Sequence, residues 1–273
     1  MKQPKIMKKL IENSRLEEIC RRGAETARKN KPDNSNIDEQ VKTLKRAMLS
    51  SRPDKIVRVN IEDYSDAIAF KRFAEKSAQL GIEFQYTNSN KHVVLNCIYW
   101  LTGSTKFRCL NPKNQHVMPG NLDKGLLITG NPGVGKTHIL NVLNKLWEID
   151  KPFFWSPTSQ KIVDMCFGII RARDLVSIYS SEGHSALQKY KTMPLLCIDD
   201  IGSETKIANY MGTKLNVIDD ILTARMDNGK LITLATSNQD FEGLGNFYDP
   251  RLYSRLFEHF NLLTIHGKDF RMS

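Results

Sequence analysis

The segment GNPGVGKT at residues 130–137 constrains the fold more than any other feature of this sequence. It matches G-x-x-x-x-G-K-[ST] at every fixed position, between an apolar run at 125–130 and a helical apolar pattern at 136–148. Its glycines permit a tight turn whose backbone amides point at a phosphate, and the helix start adds a positive dipole end. A glycine-rich turn alone would explain the glycines, but not the strand, loop and helix together. The segment therefore predicts a nucleotide-binding phosphate loop.

Specific roles follow for the residues of this loop. Lys136 is expected to reach the β- and γ-phosphates as a point charge, and the Thr137 hydroxyl is expected to hold Mg²⁺. The residues predicted to bind the nucleotide are Gly130, Asn131, Pro132, Gly133, Val134, Gly135, Lys136, Thr137 and His138.

A pair of carboxylates follows a second apolar run, LLCIDD at 195–200. Ligands of open α/β sheets bind at the carboxyl ends of the strands, so we expect Asp199 to hold Mg²⁺ through water. Asp200 is expected to orient the attacking water, with Glu204 a weaker candidate. Aspartates also favour turns after strands, but their position about 60 residues beyond a complete phosphate loop favours the metal-binding interpretation.

Further polar residues follow the later apolar runs. Asn238 ends LATSN (234–238) and is predicted to bond the γ-phosphate or the attacking water, although it could simply cap the strand. In RLYSRLFEHF (251–260), Arg251 and Arg255 lie one helical turn apart and share a face. An arginine from a neighbouring subunit can stabilise the charge that develops during phosphoryl transfer. The alternative is a surface helix whose leucines face the core, and both can hold at once.

Strand and helix patterns alternate from residue 124 onward. Strands apolar on both faces and separated by helices indicate a parallel sheet covered on both sides, hence an α/β fold. The predicted strands are 125–130, 152–155, 193–199, 230–238 and 261–265.

The region before the phosphate loop has a different character. Residues 1–110 are predicted to form a basic, mostly helical partner-binding region, and residues 111–273 the ATPase domain. Residues 30–36 have the composition of a linker, and 82–86 is a candidate for a short strand. Helical patterns occur in residues 1–31 and at 37–50, 67–80 and 93–101.

Positive charge is concentrated near the N-terminus. Of the net charge of +10, residues 1–60 carry +8, from 16 Lys/Arg and 8 Asp/Glu. This is compatible with a solvated arm, and equally with attraction to nucleic acid or an acidic partner.

Several classes of protein are excluded by composition. Five scattered cysteines without a CxxC pair argue against disulfides and structural zinc, which fits a reducing cytoplasm. We also expect no membrane span, because no apolar run approaches about 18 residues, and no secretory signal.

These motifs, in this order, resemble the DnaC/IstB-type branch of AAA+ ATPases, which are bacterial replicative helicase loaders and transposition-accessory proteins. The segments that carry the resemblance are GNPGVGKT, LLCIDDIG, LATSN and RLYSRL, and it covers roughly residues 120–273. The resemblance implies an AAA+ RecA-like parallel sheet with the helical lid absent or vestigial.

The resemblance also implies partners and further site residues. ATP with Mg²⁺ would bind between protomers of a homo-oligomer, with Arg255 the preferred arginine finger and Arg251 the second choice. Arg271 resembles a sensor II arginine acting in cis. Residues 158–171 correspond to an extra helix of this branch that contacts single-stranded DNA, and the basic side chains suited to phosphates there are Lys161, Arg171 and Arg173.

Three functional hypotheses remain open at this point. The first is a DnaC-like helicase loader that binds single-stranded DNA and engages a replicative helicase through its N-terminal region. The second is an IstB-like ATPase that clamps duplex DNA and recruits a transposase. The third is an ATP-switched interaction module with no DNA function.

Overall fold

A computed structural model describes residues 34–58, 65–150, 152–267 and 269–270. In chain order, the strands are β1 (Val57–Arg58), β2 (Arg108–Leu110), β3 (Val117–Pro119), β4 (Gly125–Gly130), β5 (Phe153–Ser156), β6 (Lys161–Asp164), β7 (Ile169–Arg171), β8 (Leu195–Asp199), β9 (Ala208–Tyr210), β10 (Thr213–Leu215), β11 (Ile232–Ser237) and β12 (Phe260–Ile265). The helices are α1 (Asn34–Ser51), α2 (Asp66–Gln79), α3 (Asn88–Thr102), α4 (Lys136–Asp150), α5 (Ala172–Glu182), α6 (Gln188–Thr192), α7 (Val217–Asn228), α8 (Phe241–Phe247) and α9 (Pro250–His259), with a 3₁₀ turn at His184–Leu187.

A seven-stranded sheet, in the order β3-β2-β12-β4-β11-β8-β7, organises the described chain. The five strands from β12 to β7 are parallel, and β2 and β3 add an antiparallel edge. The predicted α/β class with a mainly parallel sheet is confirmed. Because β11 lies between β4 and β8, the residues that follow it emerge between the phosphate loop and the paired aspartates.

Both faces of this sheet are covered, as the apolar strands predicted. Along β4, Leu126 and Ile128 belong to one buried cluster and Leu127 to the other. The first cluster includes apolar residues of α4, and the second includes those of α7. This alternation follows from the two-residue repeat of a strand between two helical layers.

Helices α2 and α3 pack on the same face as α4. Phe73 of α2 and Trp100 of α3 are fully buried in the cluster that contains α4, and the Trp100 indole donates to the Lys124 carbonyl (2.9 Å). Thr87 and Asn90 form a capping box at the start of α3. These helices share a hydrophobic core with the sheet. The division into regions 1–110 and 111–273 stays a prediction.

The prediction that 152–155 forms a strand of the parallel sheet is wrong. These residues contribute to β5, which pairs antiparallel with β1 and β6 in a separate three-stranded sheet. Phe153 and Trp155 pack with residues of α1, whereas Phe154 packs in the cluster that contains α4. Strand β5 is buried on both faces, and its continuous apolar run therefore resembles that of a strand in a parallel sheet. In the central sheet the corresponding strand is β7.

The predicted helix at 158–171 is also wrong. After a turn in which Gln160 has φ +53°, the chain returns as β6, with Lys161 in register with Ser156. It then enters the central sheet as β7. The helix was expected from the family resemblance alone, whereas β5 and β8 provide strand partners that no local pattern reveals.

Residues 82–86 belong to no helix or sheet, so the predicted strand is not formed. Their aromatic side chains pack edge-on against α2: Phe84 on Phe73 (ring centroids 4.9 Å apart) and Tyr86 on Phe70 (4.9 Å). Tyr86 Oη also donates to the Phe70 carbonyl (2.7 Å). Side-chain packing, not strand pairing, explains the alternation. In the part of the chain that is described, no helix has both the length and the apolar character to cross a membrane.

Candidate nucleotide site

The turn between β4 and α4 has the backbone shape that the glycine pattern predicted. Gly133 has φ +76°, a conformation that favours glycine, and the carboxylate of Asp269 lies beside it. Helix α4 begins at Lys136, so the N-terminal end of the helix, with its positive dipole end, lies at the turn. The turn therefore has the geometry of an anion cradle.

Lys136 is only 6% exposed and lies across the mouth of this turn. Its Nζ donates to the carbonyls of Gly130 (2.6 Å) and Asn131 (2.9 Å) and to Oδ1 of Asn238 (2.7 Å). These three bonds hold the ammonium at the cradle.

The Thr137 hydroxyl and the Asp199 carboxylate meet at the carboxyl edge of the sheet. Thr137 Oγ1 is 2.9 and 3.0 Å from the two carboxylate oxygens, and Thr236 Oγ1 donates to Asp199 Oδ1 (2.6 Å). Asp199 is 4% exposed. Hydroxyl groups from α4 and β11 thus hold one buried carboxylate in place.

Asn238 joins the phosphate loop to the second aspartate. Its Oδ1 accepts from Lys136, and its Nδ2 donates to Asp200 Oδ1. The amide orientation follows from these partners, because the reverse would place oxygen against carboxylate. Asp200 has φ +66°, which aspartate tolerates, and its amide donates to Thr236 Oγ1 (2.8 Å).

A cavity of about 820 Å³ opens at this edge of the sheet. Its walls include Pro132, Gly133, Gly135, Lys136, Thr137, His138, Asp199, Asp200, Thr236 and Asn238. The structure thus gathers residues from the phosphate loop, the acidic pair and the Asn238 strand end, which the sequence analysis predicted separately. Of the other loop residues, Asn131 contributes a carbonyl to Lys136, and Val134 is buried in the core.

Residues 82–85 form another wall of the cavity, which the sequence analysis missed. Phe84 lies against the phosphate loop, with its ring stacked on His138 (5.8 Å between centroids, 20° between planes). His138 Nε2 lies 2.7 Å from Ser77 Oγ, and burial lowers the pKa of its imidazole. His138 therefore connects α2 to the phosphate loop. No local signal ties 82–85 to the site, because only the packing of α2 on α4 brings them there.

Arg171 and Arg173 also line the cavity. The family resemblance implied that they belong to a DNA-contacting helix, but Arg171 ends β7 beside Asp199 in the parallel sheet. One sequence pattern could have indicated that a strand ends at Arg171. The apolar pair Ile169-Ile170 comes immediately before a charged residue, as the apolar residues of β8 do.

Glu204 does not contribute to the cavity wall, which argues against the water-orienting role considered for it. It is 5% exposed and accepts from the amides of Gly202 (2.7 Å) and Ser203 (3.1 Å) and from Tyr248 Oη (2.7 Å). Burial raises the pKa of its carboxyl group, and these hydrogen bonds offset part of the effect. Glu204 therefore holds the turn that follows β8.

The predicted arginine fingers lie on α9, away from the walls of the cavity. Arg255 bonds to Asp227 near the end of α7, and this bond lowers the pKa of Asp227. Arg251 is exposed near the start of α9. The structure thus does not bring either residue to the cavity of its own chain. Arg271 lies outside the described residues.

Comparisons with known proteins give similarity to solved structures only. No protein-family model and no curated protein matches the sequence. The DnaC helicase loader shares 21% identity over 71% of this chain and 99% of its own, with a TM-score of 0.45. DnaI shares 20% over 70% of this chain and 88% of its own, with a TM-score of 0.45. AMPPCP-bound DnaA from Aquifex aeolicus shares 18% over 69% and 50%, with a TM-score of 0.42. At these values the likeness assigns no function.

Proposed function

We propose that this chain is an ATPase of the AAA+ type that binds ATP with Mg²⁺ and hydrolyses it. One observation carries the proposal: Lys136, Asn238 and Asp200 form a continuous chain of hydrogen bonds along a cavity at the carboxyl edge of the parallel sheet. A phosphate cradle, a fixed cation and a carboxylate for a water molecule are the parts that phosphoryl transfer requires.

Binding of the phosphates falls to the turn and to Lys136. Its ammonium exchanges bonds with neutral carbonyls for bonds to phosphate oxygens, in which donor and acceptor are both charged. The amides of the turn and of the first turn of α4 add neutral donors. Phe84, which also lines the cavity, offers an apolar ring to the nucleoside.

The residues present also fit Mg²⁺. Thr137 and Asp199 present hard oxygen donors within hydrogen-bond distance of each other. In the described part of the chain, no group of three or more His, Cys, Asp or Glu side chains could hold a metal. This fits Mg²⁺, which proteins hold by one or two ligands together with substrate phosphates and water. When bound, Mg²⁺ supplies positive charge that neutralises the phosphate oxygens.

Asp200 and Asn238 are proposed to act on the attacking water. Both line the cavity and are bonded to each other, so a water molecule beside them can donate to the Asp200 carboxylate. The carboxylate then holds the proton that leaves the water as it attacks. Asn238 keeps this carboxylate at a constant position relative to Lys136.

At the finer level, we propose a helicase loader that resembles DnaC. The order of the motifs and the basic region 1–60 support this proposal. Single-stranded DNA is the preferred nucleic acid, a replicative helicase is the partner of residues 1–110, and ATP-bound chains form a homo-oligomer. Arg255 then acts on the nucleotide of a neighbouring chain.

The test is equilibrium binding of ATP with Mg²⁺ to the full chain and to Lys136→Ala. Lys136→Ala is expected to lower the affinity roughly a hundredfold, through lost charge-assisted hydrogen bonds worth about 3 kcal/mol. Failure of the unmodified chain to bind ATP would overturn the proposal. Mass measurement with ATP and either single-stranded or duplex DNA tests the finer assignment. Oligomers that form only on long duplex DNA would contradict the helicase-loader proposal in favour of a transposition-accessory ATPase.

A further inference from the structure

We propose that Arg171 and Arg173 bind the terminal phosphate of the nucleotide within their own chain and so distinguish ATP from ADP. This inference rests on the ATP-binding function proposed above. It assigns to the nucleotide two arginines whose sequence context had suggested DNA.

The register of the sheet places Arg171 beside Asp199. Arg171 and Asp199 are partners on the adjacent parallel strands β7 and β8, so their backbones lie about 4.8 Å apart. Both strands end at the edge where the cavity opens, and both side chains line it. Asp199 and Asp200 mark the end of the cavity where the terminal phosphate is proposed to lie, so the arginines stand beside that phosphate.

The two arginines also offset carboxylates that line the cavity. Among the described residues that line it, the carboxylates are those of Glu83, Asp199 and Asp200, and the permanent cations are Lys136, Arg171 and Arg173. The carboxylate of Asp269 lies beside Gly133 of the cradle. His138 adds no charge at neutral pH because burial lowers the pKa of its imidazole. Without the two arginines, Lys136 would be the one permanent cation among the described lining residues to face these carboxylates, and a triphosphate would be repelled. The two arginines offset two of these negative charges.

Arg171 and Arg173 occupy unfavourable positions at the N-terminus of α5. Arg171 occupies the N-cap position of α5 without a side-chain cap bond, a position that usually favours Ser, Thr, Asp or Asn. Arg173 lies in the first turn, where a cation opposes the helix dipole. Asp174, also in the first turn, offsets the effect of Arg173 on the dipole, but its contact with Arg173 is long and exposed, with its Oδ1 3.8 Å from Arg173 Nε and both side chains more than half exposed. A phosphate at this point would stabilise both the dipole and the arginines.

The experiment compares equilibrium affinities for ATP and ADP, each with Mg²⁺, in the full chain. The variants are Arg171→Ala, Arg173→Ala and Arg171→Lys, with Lys214→Ala as a control that removes an exposed cation outside the cavity wall. Each alanine variant is expected to lower the ratio of ATP to ADP affinity roughly tenfold, the loss of one charge-assisted bond. Arg171→Lys should retain part of the preference, because it keeps the charge but not the planar fork. Lys214→Ala should leave the ratio unchanged.

A second measurement separates this role from structural damage and from DNA binding. The nucleotide-free alanine variants should unfold at the same temperature as the unmodified chain or slightly higher, because a cation leaves a helix N-terminus. An unchanged affinity ratio would overturn the inference while leaving the proposed function intact. So would an equal loss of ATP and ADP affinity, or a defect seen only in nucleotide-free DNA binding. An unmodified chain that binds neither nucleotide would refute the proposed function itself.

Discussion

The charged residues at the sheet edge and those on α9 differ in how they are held. Lys136 donates to Asn238 and to the backbone of the turn, and Asp199 accepts from the hydroxyls of Thr137 and Thr236. Lys136, Asp199 and Asn238 all line the cavity. Arg255 instead bonds to Asp227 and lies away from the cavity of its own chain. A single chain thus holds the proposed groups for binding a nucleotide but not its proposed finger. We therefore expect binding and hydrolysis to separate when these two regions are altered.

The largest expected effect comes from Arg255→Ala. Loss of an arginine that stabilises the transition state is expected to lower the rate of hydrolysis roughly a thousandfold. The affinity for ATP should hardly change, because the side chain does not contact the cavity of its own chain. Steady-state hydrolysis measured over a range of protein concentrations, together with equilibrium affinity, checks this expectation.

Arg251→Ala serves as the matched control on the same helix, with a smaller expected loss. If the unmodified chain hydrolyses ATP equally fast per chain when dilute and when concentrated, Arg255 does not act between chains. The proposed division of roles between the sheet edge and α9 would then be wrong.

A smaller effect is expected from Asn238→Ala. This change removes the link between Lys136 and Asp200, so the rate of hydrolysis should fall roughly tenfold, the scale of one hydrogen bond to a charged group. Affinity for ATP should fall less, since Lys136 retains its bonds to the turn. Single-turnover hydrolysis and equilibrium binding separate the two quantities.

Asn238→Asp sharpens the same test. It preserves an acceptor for Lys136 but sets a carboxylate against Asp200, and like charges at this distance favour protonation of one of them. We expect it to lose more activity than Asn238→Ala. Equal rates for both variants would show that the donor bond to Asp200 is unimportant.

The smallest expected effect concerns the turn that follows β8. Burial raises the pKa of Glu204 above its ordinary 4.5, so the folded state binds this proton more tightly than the unfolded state does. The associated stabilisation is complete below pH 4.5 and is lost as the pH rises through the raised pKa. Relative to Glu204→Gln, the unmodified chain should therefore lose unfolding free energy over that range. Denaturant unfolding at a series of pH values measures the difference, and parallel profiles would contradict it.

Local patterns determined the parts of the candidate site that depend on neighbours in the chain. The phosphate loop, the acidic pair after β8 and Asn238 after β11 were all predicted, because each is a strand end followed at once by its polar residues. Parallel strands bring their carboxyl ends to a common edge, so the convergence of these residues was also predictable. The sequence by itself therefore determined the α/β class and the groups proposed to bind phosphate and metal.

Tertiary structure alone decided the remaining walls of the cavity. Residues 82–85 reach it because α2 packs on α4, and Arg171 reaches it because β7, and not β5, pairs with β8. An apolar run buried on both faces has the same composition in a parallel sheet as between α1 and the core. The partner that buries such a run lies far away in the chain, and spacing within the run carries no information about it.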